Sequence, residues 1–133
     1  MPPIDTLDAL LRRVQPVLHP GRYAFVSLPD GHALAPAQVV ASIREPEGLS
    51  VVVPEQVALT QGLPIAASVA WITLMVHSSL AAVGFTAVFA RALAQAGISG
   101  NVVAGVHHDH VFVPIDHAQR ALEALHALSN APP

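Results

Sequence analysis

Cysteine and lysine are both missing from this 133-residue chain. Without cysteine there is no disulfide, no thiolate nucleophile and no sulfur-ligated zinc. Without lysine, all six basic residues are arginines, and Arg12–Arg13 is their one adjacent pair. At a net charge of -3 the chain offers no electrostatic footprint for nucleic acid. Charge of either sign is scarce, at 11% of residues, against about 25% in an ordinary globular domain. No apolar run suits a membrane span. The longest, Gly62 to Val76, is broken by Pro64, Ser68 and Thr73, and its length of about 15 residues falls short of the roughly 20 a span needs. The opening MPPIDTLDALLRRV carries Asp5 and Asp8 and lacks the basic and apolar regions of a secretory signal. The expectation is a cytoplasmic protein with no membrane partner.

What the chain has is apolar surface, with 53% hydrophobic residues. That is enough for one core, or for two small half-domains sharing one. The surplus predicts a further interface, between half-domains or in a homodimer or higher homo-oligomer.

Periodicity lays out the elements. Asp5 or Thr6 can cap a first helix carrying Leu7, Leu10, Leu11 and Val14, which Pro16 and Pro20–Gly21 end. YAFVSL (23–28) reads as a strand stopped by Pro29-Asp30-Gly31. QVVASIRE (38–45) and LSVVVP (49–54) read as two more strands joined at Pro46-Glu47-Gly48, with a short helix over 55–61. SVAWITLMV (68–76) is apolar on both faces, as a central strand is. Ser78 is placed to cap a helix over 79–96 that stops at Gly97. Ala81, Phe85, Val88, Phe89, Ala92 and Ala96 make one face of it, and Val83, Ala87, Ala90 and Ala94 the opposite, small-residue face. NVVAGV and HVFVP pair as a hairpin around residues 107–110, and Asp116 with Gln119 forms a capping box for a last helix.

The chain also echoes itself. VVVP (51–54) matches VFVP (111–114), and YAFVS (23–27) matches WITLM (71–75). The repeated unit is strand-helix-strand-strand-helix. The first copy has only PDGHALAPAQ where the second has a long helix, and the amino-terminal helix is a candidate for the vacant place.

Two stretches can carry chemistry. The first is VHSSLAAVG (76–84). If a helix starts there, its first N–H groups have no internal partners and can bind a carboxylate, with His77, Ser78, Ser79 and Leu80 around them and Gly84 allowing close packing. The alternative is a simple helix cap. The second is His107-His108-Asp109-His110. Asp109 can take an ammonium group through charge-assisted hydrogen bonds, and His110 can orient it or stack on the ligand. The alternatives are a polar turn, or a divalent metal held by His108 and His110 with His77 as a third ligand. Asn101 can bridge loop and ligand or cap the turn at 97–100. A Ser78–His77–Asp109 catalytic set lacks the nucleophile elbow such serines need.

EGLSVVVP (47–54), residues 71–99 and NVVAGVHHDHVFVP (101–114) resemble the ACT domain family, in particular short bacterial proteins with two ACT-like units. The motifs are Ser-Ser-Leu-x-x-x-Gly, Asn-x-x-Ala-Gly and Asp-His-x-x-Val-Pro. The carboxyl-terminal unit also resembles arginine-sensing ACT regulators. The resemblance implies an α+β fold of tandem ferredoxin-like βαββαβ units with antiparallel sheets: a degenerate first unit with its leading helix over 1–64 and a full unit over 65–133. It implies a regulatory protein that binds a small molecule, an amino acid, at a seam between units or subunits. Asp109 matches the acid that the arginine sensors place at their ligand. No cofactor and no catalysis are expected. The opposing reading is a metal-dependent enzyme using His108, Asp109 and His110.

Overall fold

A computed structural model describes residues 2–130. The elements in chain order are helix α1 (Leu7–Arg13), strands β1 (Gln15–Leu18), β2 (Tyr23–Ser27), β3 (Ala41–Glu45) and β4 (Gly48–Pro54), helix α2 (Glu55–Thr60), strand β5 (Ile65–Met75), helix α3 (Phe85–Gln95), strands β6 (Asn101–Ala104) and β7 (Asp109–Pro114), and helix α4 (Ala118–His126). They fall into two compact units. One is Pro20–Ala70; the other joins residues 1–19 to 71–133. Strand β5 therefore contributes its first half to one unit and its second half to the other. The expected division at residues 64 and 65 falls immediately before β5.

In the unit of residues 20–70 the strand order is β3-β4-β2-β5, and each of the three pairings is antiparallel. This is the ferredoxin-like arrangement with its first helix reduced to a single 3-10 turn at Pro36–Gln38. Prolines and short polar stretches cannot sustain a helix there. The expected strand over 38–45 accordingly starts late, at Ala41. Alternation on β2 and β4 turns Ala24, Val26, Val51 and Val53 inward, where Ala58 of α2, Leu28 and Leu63 complete the core. Gly31 (φ 79°) takes the left-handed conformation in the turn after β2, where His32 N–H donates to the Pro29 carbonyl at 3.0 Å.

In the other unit the strand order is β1-β5-β7-β6. The strand that would close a ferredoxin-like unit from its carboxyl end is supplied here by β1, paired antiparallel from Gln15↔Met75 to Leu18↔Ile72. Sequence periodicity missed β1, because Pro16 and Pro20 read only as the end of a helix. Within this unit β1 lies at the sheet margin, where a strand proline is tolerated. The leading helix belongs here as well. Helix α1 packs against α3 and the closing turn Ala127–Asn130, so it does not fill the vacant place in the first unit. Ile72 and Leu74 of β5, Val111 and Val113 of β7, Phe85, Phe89 and Leu93 of α3, Ala121 and Leu125 of α4 and Leu10 of α1 are all buried. Each large side chain among them contributes about 1.5–3 kcal/mol by leaving water.

Two helix starts differ from expectation. Helix α3 begins at Phe85, not at Ser79, and Gly84 (φ 93°) is its N-cap. Helix α4 begins at Ala118 after a 3-10 turn at Ile115–His117, its N-cap is His117, and no side chain caps it. The Asp116 box does not form. At the other end of α3, the Arg120 guanidinium donates to the Ala96 carbonyl and satisfies one of its open acceptors. Among the described residues no helix is long and apolar enough to cross a membrane.

Candidate functional site

The segment 76–84 explains why α3 starts late. Ser79 Oγ accepts from the Ala81 N–H at 3.0 Å, and the Ser79 carbonyl accepts from the Ala82 N–H at 3.0 Å. A serine hydroxyl that bonds its own backbone two residues on favours a turn over a helix. The segment is also tied to the chain start. Ile4 N–H donates to the His77 carbonyl at 2.7 Å, and the Ser79 N–H donates to the Ile4 carbonyl at 2.8 Å. The amides of Ser79, Ala81 and Ala82 are therefore occupied from within the protein. The carboxylate site is expected on a helix start at residues 78–80; no helix starts there, and of those three residues Ser79 has its amide bonded within the protein. The helix start, and the amides that a helix leaves without internal partners, lie at Phe85–Ala87.

The turn between β6 and β7 meets this segment. His108 Nδ1 lies 3.0 Å from the Val76 carbonyl, so that nitrogen carries the proton and donates. The His77 and His107 rings are 5.3 Å apart, tilted by 37°. Asp109 opens β7 opposite Ala104, and its Oδ2 lies 3.5 Å from Ser78 Oγ, a long contact. Ser78 itself is 5% exposed. Burial pushes the Asp109 carboxyl above the ordinary carboxylate value; the Ser78 hydroxyl and the His108 ring pull it part of the way back. The acid is half-removed from water with one weak side-chain donor, a state that a cation would relieve.

His110 does not join this group. Consecutive residues of a strand face opposite ways, and the His110 ring turns to β5. Its Nδ1 lies 3.0 Å from Trp71 Nε1 and 2.9 Å from Thr73 Oγ1. His19 follows, with Nε2 at 2.7 Å from Thr73 Oγ1 and its ring stacked on Trp71 at 3.5 Å. His110 thus does not orient Asp109. The pattern gave no role to His19 and Thr73 and read Trp71 as plain core. The available signal was that 71 and 73 share a strand face; their partners lie far away in sequence.

Of the other expected residues, Leu80 is 67% exposed on the turn and Gly84 shapes the entry to α3. Asn101 opens β6 opposite Phe112, exposed. The metal alternative finds no support in geometry: among the described residues no three His, Asp or Glu side chains converge as metal ligands. His77 does not stand between Ser78 and Asp109 as a catalytic relay would require. A cleft of about 400 Å³ in residues 20–70, lined by Arg22, Tyr23, Pro54, Glu55 and Leu59 among others, includes none of the expected residues.

A sequence profile of the ACT domain matches residues 2–70, and a second ACT-domain profile matches residues 67–127. Curated proteins give no match. Among solved structures, the chain is similar to a Vibrio cholerae protein of unknown function, described as a possible transport protein. Identity is 41%, coverage is 92% of this chain and 95% of that one, and the TM-score is 0.79. It also resembles an Agrobacterium tumefaciens protein at 18% identity, covering 88% and 90% of the two chains with a TM-score of 0.67. The regulatory subunit of aspartate kinase from Thermus flavus shares the fold at 15% identity, covering 86% and 96%, with a TM-score of 0.57.

Proposed function

The chain belongs to the ACT-domain family, and from that premise we propose that it is a cytoplasmic regulatory protein whose ligand is a free amino acid. The observation that carries this reading is Asp109: a half-buried carboxylate at the meeting of two loops, held by one long hydroxyl contact. An α-ammonium group supplies the charge-assisted partner that this acid lacks among the described side chains. Ser78, with its hydroxyl already turned to Asp109, and His77 and His108 border the same place. The ligand's carboxylate goes to the uncapped start of α3 at Phe85–Ala87, which the 76–84 segment leads into. This moves the anion anchor a few residues along the chain from Ser78–Leu80. Asn101 and Leu80 stay at the periphery, where the ligand's side chain or a second subunit of a homodimer meets the protein.

The reading involves no bond-making step. Regulation follows if bound and free forms meet a partner differently, since a ligand shifts a population only by its difference in affinity for two states.

A thermal-shift screen of the common amino acids tests it. At a concentration of one hundred times Kd, a true ligand adds about 2.7 kcal/mol to stability. At least one amino acid should raise Tm, and Asp109→Asn should abolish the rise. A rise that survives in Asp109→Asn, or none with any amino acid, rejects the reading.

A further inference from the structure

Taken as hydrogen bonds, the three short contacts among His19, Thr73, His110 and Trp71 admit one arrangement of hydrogens, in which His110 Nδ1 shares its lone pair between two donors. An indole N–H can donate and never accept. Trp71 Nε1 points at His110 Nδ1 at 3.0 Å, so that nitrogen carries no hydrogen. The Thr73 hydroxyl, 2.9 Å from the same nitrogen, must then donate to it. With its hydrogen so used, Thr73 Oγ1 accepts from His19 Nε2 at 2.7 Å. The chain is directed: His19 N–H to Thr73, Thr73 O–H to His110, with Trp71 as a second donor. His110 is therefore neutral, with its one hydrogen on Nε2. His110 is half-buried and makes its hydrogen bonds among the described residues through Nδ1, which leaves Nε2 as the nitrogen open to proton exchange with solvent. Its near neighbour is Gly105, where an added Cβ would sit 3.3 Å from Nε2.

We infer that His19, Thr73, His110 and Trp71 form a proton-operated switch joining the end of β1, β5 and β7. A second proton on His110 must go to Nδ1. Thr73 can turn its hydroxyl round and accept that hydrogen. Trp71 cannot, and two N–H groups then face each other at hydrogen-bond distance. The Trp71–His110 link opens, and of the two side-chain ties from β5 to His110 only that of Thr73 remains, at the end where Asp109 stands.

The surroundings favour the neutral state. From the end of β1, His19 faces the network, and a charge there repels one on His110. From the β6–β7 turn, His108 does the same. Asp109, next in the strand, points the other way, to Ser78. Asp116, His117, Arg120 and Glu123, carried by α4 and the turn before it, make no hydrogen bond to His110 among the described residues. Burial and the two neighbouring rings hold His110 below the ordinary histidine value, and burial does the same for His19. The switch thus operates on the acid side of neutrality.

Trp71 is the sole tryptophan, so its indole N–H gives one isolated NMR signal. The test is a pH titration of uniformly 15N-labelled full-length protein, following that signal together with the His110 ring nitrogens. The switch predicts the Nε2–H form of His110 at neutral pH. It also predicts that the indole signal moves in step with His110 protonation, its hydrogen exchange rising at least tenfold. Trp71→Phe keeps the ring and removes the donor, and there His110 should titrate closer to 6.5, the ordinary histidine value. A hydrogen on Nδ1 at neutral pH overturns the switch. So does an indole signal indifferent to His110, a Phe variant with an unmoved titration, or unfolding before His110 protonates. Should the Phe variant not fold, the wild-type titration decides alone.

Discussion

Asp109 and His110 are adjacent in sequence and sit in opposite electrostatic situations. The Asp109 carboxyl is raised by burial, so the fold favours its neutral form. Its stabilising contribution is present below the unfolded value and is lost as pH rises through the higher folded one. Asp109→Asn should therefore unfold at a higher temperature than wild type at pH 7 in the absence of ligand, with the gap closing as pH falls below the ordinary aspartate range. Scanning calorimetry at several pH values would show it. The reverse order at pH 7 would mean that the Ser78 and His108 contacts outweigh burial. His19 and His110 are lowered, so their contribution is present above about pH 6.5 and fades as pH drops through the lower folded values. In Thr73→Val the two rings lose their bridge. That change should cost about 1–3 kcal/mol, since it strands buried polar partners, and chemical denaturation would measure it. At this scale the sequence disclosed Asp109, through the turn chemistry around it and the motif it stands in. It hid the His110 network, because no local pattern links residues 19, 73 and 110.

The elements that sequence periodicity placed well are those whose signal is local. Helix α4 keeps Ala121 and Leu125 in the core, and β2, β4 and β7 bury alternate or consecutive valines as their patterns dictate. The failures come from partners remote in the chain. Strand β1 exists because Gln15–Leu18 finds residues 72–75; on its own it reads as the tail of a helix. Helix α3 loses its expected first turn because Ile4 reaches across to His77 and Ser79. A serine pair followed by alanines supports a cap and a turn equally well, and only that distant strand pairing decides. Gly84 then carries the change of direction at φ 93°, with Leu7 Cδ2 3.4 Å from where a Cβ would lie. Gly84→Ala should destabilise the protein by about 1–2 kcal/mol, the cost of a left-handed non-glycine residue. It should also weaken amino-acid binding, because it shifts the start of α3. Denaturant midpoints and a titration of the same variant check both, and unchanged binding at lowered stability would detach Gly84 from the site.

The whole chain is two ferredoxin-like units threaded by one continuous strand. Its order differs from that of two beads on a string. Residues 1–19 complete the unit built from 71–133, and β5 serves both units. A fragment 65–133 accordingly lacks β1 and α1, and a fragment 1–64 lacks β5. Each should remain unfolded alone by circular dichroism and recover structure when the two are mixed. Independent folding of 65–133 would contradict this closure. The same closure ties Ile4 to His77 and Ser79, on either side of the Ser78 that faces Asp109. The proposed ligand is a zwitterion whose ammonium group neutralises Asp109. The most direct measurement is the pH titration of the Asp109 carboxyl carbon by NMR, with and without the amino acid found in the thermal screen. The prediction is a raised value in the free protein that falls below the ordinary carboxylate value once the amino acid is bound. A titration that the bound amino acid leaves unmoved would contradict it.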